Sequence, residues 1–225
     1  MNWFSTFLTS SVGRKLVMSL TGLFLIIFLV VHLIGNWQLL AGDGGTAFND
    51  YAKFMTSFGP IKVVSYLLYA SIVVHAIQGW LLWRKNSAAR GVNYAVKRTR
   101  TVKTSAGASK NMGWLGTIIF VFILIHMYQF WFQMHWGIEP MAGTDVKDLY
   151  TVVERAYTNL GFVIFYVICM AVVGYHLWHG FQSAFQTLGI NHEKYTPFIR
   201  TLGKIYAVAV PLGFALIPII MYLQQ

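Results

Sequence analysis

Apolar residues in this chain come in five long runs separated by short polar stretches. The runs cover roughly residues 16–40, 60–83, 113–135, 159–185 and 202–223. Each approaches or exceeds the about 20 residues that a helix needs to cross the ~30 Å hydrocarbon core of a bilayer. No water in that core satisfies backbone N–H and C=O groups, so the pattern predicts helices. The expected fold is an all-α integral membrane protein of five transmembrane helices, with residues 1–225 forming one domain. Pro211 and Pro218 fall inside the last run, where a local kink is expected. Trp37, Trp83, Trp114, Trp131 and Trp136 gather near run ends, as residues of an interfacial belt do. Arg14 and Lys15 precede the first run in the manner of a signal peptide. That run is longer than the about 7–15 residues of a signal core and carries His32, so a retained span is expected.

Composition agrees with a membrane location. The chain is 56% hydrophobic and only 11% charged, whereas soluble domains carry about 25% charged residues. A net charge of +10 invites a nucleic-acid reading, but its distribution argues against one. Residues 84–110 hold eight basic side chains and no acid: Arg84, Lys85, Arg90, Lys97, Arg98, Arg100, Lys103 and Lys110. Residues 136–158 hold Glu139, Asp145, Asp148 and Glu154 against Lys147 and Arg155. Basic loops stay cytoplasmic, which places the N-terminus, the second loop and the fourth loop inside. The first loop, the third loop and the C-terminus fall outside. The single cysteine, Cys169, sits in an apolar run and reads as a packing residue. It excludes an internal disulfide, and the lack of a C-x-x-C-H motif excludes covalent haem attachment.

Histidine supplies the candidate chemistry. His32, His75, His126 and His176 each lie within a different run, and an ionisable residue at membrane depth marks a functional site by default. His32 lies 17 residues past Lys15, about 26 Å along a helix and therefore in the outer half. His75 lies nine residues before Arg84, about 13 Å from the inner face. By the same count, 16 residues from Lys110 place His126 in the outer half, and 21 residues from Arg155 place His176 in the inner half. Two layers result, His32 with His126 and His75 with His176. Two imidazoles per layer is the axial set of a six-coordinate haem, which has no open position for oxygen and carries electrons. Gly79 and Gly180 lie one turn beyond His75 and His176, where a missing side chain lets a flat macrocycle approach the backbone. Packing between membrane helices is the competing use of such glycines. His179, three residues after His176, is an alternative ligand, whereas His135 and His192 read as interfacial. A zinc site on His176 and His179 lacks further ligands. All seven acids lie outside the runs, so no buried carboxylate relay is expected, and protons would enter from outside at Asp50 or Glu139.

These residues resemble the cytochrome b membrane-anchor subunit of succinate dehydrogenase or fumarate reductase, in its single-chain, five-helix, two-haem form. The resemblance covers nearly the whole chain. It rests on Ser11-Val12-Gly13-Arg14-Lys15, Ser19-Leu20-Thr21-Gly22, His32-Leu33-Ile34-Gly35-Asn36-Trp37, Asn49-Asp50-Tyr51, His75-Ala76-Ile77-Gln78-Gly79, His126 and His176-Leu177-Trp178-His179-Gly180-Phe181. It implies a multi-pass protein of the bacterial cytoplasmic membrane holding two non-covalent haem b groups. It also implies flavoprotein and iron–sulfur partners on the cytoplasmic side, and a quinone towards the outer side, usually menaquinone in two-haem members. The succinate site would lie in the partners. Arg14 and Lys15 fall where inner-haem propionates would reach, and Asn36, Trp37, Gln129 and His135 are the candidates for a quinone pocket. The alternatives are a b-type subunit of another quinone-linked enzyme, such as formate dehydrogenase or hydrogenase, and a haem-free carrier or scaffold.

Overall fold

The computed structural model describes residues 2–89, 106–190 and 192–225. Five cations of the second loop, Arg90, Lys97, Arg98, Arg100 and Lys103, lie outside the described residues. The helices are α1 (Trp3–Thr9), α2 (Ser11–Trp37), α3 (Thr46–Ser57), α4 (Gly59–Ala89), α5 (Ala106–His126), α6 (Leu149–Tyr157), α7 (Leu160–Thr187) and α8 (Thr196–Leu223). A 3₁₀ turn, Gln38–Leu40, extends α2, and a π-helical segment, Met127–Gly137, extends α5. There is no β-strand among the described residues, only an isolated bridge between Pro140 and Lys147.

Five stretches are long and apolar enough to cross a membrane: Ser11–Leu40, Gly59–Ala88, Asn111–Gly137, Leu160–Thr187 and Thr196–Leu223. They carry outward apolar side chains such as Ile27, Ile34, Val63, Leu67, Ile168 and Val208. Bands of that kind are a liability in water but suit a lipid-facing surface. The architecture fits a multi-pass membrane protein.

Helix α2 starts ahead of its apolar run, at Ser11, and polar residues cap both α2 and α7. The Ser10 side chain accepts from the Gly13 N–H at 3.0 Å, and Asn159 accepts from Gly161 and Phe162 at 2.8 and 3.4 Å. These caps satisfy N–H groups that have no partner inside the helix. Packing is most extensive between α7 and α8. Buried small residues of α8, among them Gly203, Ala207, Gly213 and Ala215, permit the close approach typical of membrane helices. Both internal prolines sit within continuous helix. Pro211 has no N–H for the Ala207 carbonyl four residues back. That carbonyl faces Gly174 of α7, at 3.0 Å from where a Cβ would stand.

Two short helices that hydropathy does not mark, α3 and α6, pack together beside the ends of α2 and the π segment. Together they bury Phe48, Asn49 and Ala52 against Leu149, Val153 and Tyr157. Asn49, only 4% exposed, donates to Asp148 Oδ1 at 3.0 Å and accepts from the Tyr150 N–H at 2.9 Å. An ion pair between Lys53 and Asp145 adds an exposed tie. Gly45 begins α3 with φ +88°, and the Tyr150 ring lies against it where any Cβ would collide. Only glycine meets both demands. The first and third loops are therefore a folded cap rather than simple connections.

Candidate functional site

Four helices each bring one histidine to a shared interior: α2 supplies His32, α4 His75, α5 His126 and α7 His176. The ring centroids of His32 and His126 are 5.8 Å apart, with planes at 86°. Those of His75 and His176 are 6.3 Å apart, with planes at 68°. The partners are the ones that loop charge and helix rise imply. Thr21 and Gly22, which touch His75, precede His32 by about ten residues on α2, so the pairs lie roughly 15 Å apart along that helix. The His32–His126 pair is the one nearer the α3–α6 cap, since Tyr51 of α3 packs on Gly35 and Tyr157 of α6 packs on Phe130 and Tyr166.

Both pairs open into one cavity of about 1830 Å³. Protein interiors rarely hold voids larger than a water molecule, and ordinary ligand pockets measure about 300–1,000 Å³. The cavity thus has room for more than one compact ligand. Its lining is mainly apolar, with Lys15, Asn86 and Gln186 among its polar members at one end and Asn36 and His135 at the other.

Each histidine sits in its own setting. Phe28 stacks on His32 at 5.0 Å, and Phe214 of α8 lies 5.5 Å from it. The Asn36 amide donates to the His32 carbonyl at 2.7 Å, and its nitrogen comes within 3.2 Å of His32 Nδ1. His126 Nδ1 lies 3.4 Å from the Tyr166 hydroxyl, which donates to Gln129 Oε1 at 2.7 Å. His75 Nδ1 lies 3.1 Å from Thr21 Oγ1. His176 Nδ1 is buried without a partner.

Gly79 and Gly180 both line the cavity. A Cβ on Gly180 would meet open space, and one on Gly79 would meet only the end of Met18. His179 also lines the cavity, one turn from His176. Lys15 does so too, whereas Arg14 turns back to the Thr9 carbonyl at 3.1 Å. On the cap side, Asn36 and His135 line the cavity. Trp37 instead points outward at 48% exposure, and Gln129 is engaged with Tyr166 outside the lining. Trp131 is no simple belt residue: its indole donates to the Tyr69 hydroxyl at 2.7 Å, and its carbonyl accepts from His135 Nδ1 at 2.8 Å.

Sequence reasoning gave no site role to Thr21, quoted only for the resemblance, and missed Tyr166, Tyr69 and Phe214. The first three join residues distant in the chain through a single hydroxyl, and no local pattern announces such contacts. Phe214 lies on a helix to which the sequence assigns only packing.

The donor set does not suit a bare metal ion. Among the described residues no three His, Cys, Asp or Glu side chains gather around one point. Two imidazoles per site suit a metal that brings its remaining ligands with it. The two rings of each pair would hold such a group between them. The unpartnered nitrogen of His176 and the side-chain-free surfaces of Gly79 and Gly180 also fit a flat macrocycle. No family model, curated protein or solved structure matches the chain.

Proposed function

We propose that this chain is a dihaem cytochrome b, the membrane-anchor subunit of a succinate dehydrogenase or quinol:fumarate reductase of the bacterial cytoplasmic membrane. It carries electrons between an iron–sulfur partner, itself bound to a flavoprotein, and a membrane quinone, with menaquinone the favoured species. The observation that supports this most is the meeting of four histidines as two pairs, at two heights, within one cavity.

In this reading His32 and His126 hold the outer haem, and His75 and His176 the inner one. Haem ligated on both faces supplies one-electron transfer with no open position for oxygen. Gly79 and Gly180 give the inner group access to the helix backbones, and Lys15 offers it a cation for its carboxylates. The N-terminus lies on the cytoplasmic side, where the basic second loop serves topology and docking of the soluble partners. The α3–α6 cap then lies outside. Asn36 and His135, joined by Trp131 and Tyr69, are the residues of this chain best placed to meet a quinone there. Trp37 and Gln129 take other roles, at the surface and on Tyr166. The dicarboxylate chemistry belongs to the flavoprotein.

The test is a reduced-minus-oxidised spectrum with a haem assay on the subunit expressed under haem-replete conditions. Two b-type haems per chain are expected. A ratio near zero overturns the proposal. Co-purification of a flavoprotein and an iron–sulfur protein separates this complex from other quinone-linked enzymes.

A further inference from the structure

We infer that Thr21 and Tyr166 are positioning residues that set the tautomer of one histidine in each pair, so that His75 and His126 turn Nε2, rather than Nδ1, towards the group they hold.

Proton accounting carries the argument. A neutral imidazole has one N–H, and the nitrogen without it is the one free to ligate. Thr21 Oγ1 lies 2.8 Å from the Val17 carbonyl and 3.2 Å from that of Met18. Carbonyl oxygens only accept, so the hydroxyl proton is committed to the helix backbone. The same oxygen lies 3.1 Å from His75 Nδ1. With its proton already used, it can only accept there. The Met18 carbonyl, 3.2 Å from that hydroxyl, also accepts from the His75 ring. With both oxygens on this side of the ring, His75 carries its hydrogen on Nδ1 and its lone pair on Nε2.

Tyr166 repeats the arrangement in the other pair with different chemistry. Its hydroxyl donates to Gln129 Oε1 at 2.7 Å, which leaves the oxygen to accept from His126 Nδ1 at 3.4 Å. The remaining two histidines lack such an acceptor. Nδ1 of His176 has no partner, and Nδ1 of His32 meets an amide nitrogen. Each pair thus joins one ring held by a hydroxyl to one ring without that restraint. Donation from Nδ1–H to an oxygen orients an imidazole and raises its basicity as a ligand. A more basic ligand favours the oxidised metal, so losing either hydroxyl raises the midpoint potential of the pair it serves.

Two measurements test this, and only the second rests on the two-haem reading. In the haem-free chain, labelled with ¹⁵N-histidine and held in lipid nanodiscs, solid-state NMR should find His75 and His126 protonated at Nδ1. Thr21→Val should weaken that preference for His75 alone, where the Met18 carbonyl remains as an acceptor, Tyr166→Phe should weaken it for His126 alone, and Thr21→Ser should retain it. Finding Nε2–H at both rings, or no response to either variant, overturns the inference. In the haem-loaded subunit, a redox titration should show one spectral component shifted upward by Thr21→Val and the other by Tyr166→Phe, with Thr21→Ser close to the parent. Two components with unmoved potentials overturn the inference and leave the two-haem reading intact. A chain without haem overturns that reading, and the nitrogen signals still decide the tautomers.

Discussion

Asn49 and Asp148 stand 99 residues apart in the chain and 3.0 Å apart in the fold, joined by an amide-to-carboxylate hydrogen bond. The same Asn49 side chain accepts from the Tyr150 N–H, so one buried amide fastens α3 to the start of α6. Asn49→Ala removes both bonds and leaves a backbone donor without its partner. Such losses cost about 1–3 kcal/mol. A lower melting temperature in detergent and faster proteolysis of residues 138–148 are the expected outcomes.

The cap should also loosen in acid. The hydrogen bond from Lys53 holds the Asp145 carboxyl below its ordinary range. Burial pushes Asp148 up, but hydrogen bonds from Thr151 and Asn49 outweigh it and keep it low. Carboxyls lowered in the folded state stabilise it above the unfolded aspartate value of about 3.9. That stability disappears as pH falls through the lowered native values. Protection of the Tyr150 amide from hydrogen exchange, taken relative to the intrinsic exchange rate at each pH, should therefore be steady near neutrality and fall in strong acid, and Asp148→Asn should weaken the dependence.

Single histidine replacements should sort by pair. His32→Ala and His126→Ala are expected to remove one spectral component, and His75→Ala and His176→Ala the other. His179→Ala should keep both. Loss of the same component by His32→Ala and His75→Ala would contradict the assignment.

Gly22 offers a steric route to the same distinction. A Cβ there would already stand 3.1 Å from His75 Cε1, so the bulk of Gly22→Val must push the ring aside. Overpacking of this kind costs about 1–3 kcal/mol. Difference spectra should show the inner component lost or broadened while the outer one persists.

His135 can be probed without disturbing either pair. Its Nδ1 is tied to the Trp131 carbonyl at 2.8 Å, and it lines the cap end of the cavity. His135→Ala is expected to raise the KM for quinol several-fold while leaving both haem spectra unchanged. An unaltered KM would remove His135 from the quinone site.

Much of the fold was legible because lipid imposes a coarse rule on long apolar runs. Runs of residues around Leu16, Pro60 and Asn159 announced their helices, although Ser10 and Asn159 set the starts through hydrogen bonds that hydropathy does not register. Which histidines meet was legible because helical rise is constant and successive spans run in opposite directions. The cap was not. Its helices are short, and what holds them is Asn49, a polar residue whose partners lie 99 and 101 positions further along the chain. The contacts of Tyr166 and Thr21 were hidden for the same reason: only three dimensions put either hydroxyl beside a ring, although Thr21 stands in a stretch that carries the resemblance.

Backbone bonding widens in Met127–Gly137, where the Ile138 N–H reaches back five residues to Gln133. A turn closed in this way holds one more residue than ordinary α-helix. The surplus falls between His126, which meets the His32 ring, and His135, at the rim of the cavity. Those two portions of the helix do not share a single screw, so their angular phases are set separately. His135 thus faces the cavity at an angle that a regular α-helix continued from His126 would not give it.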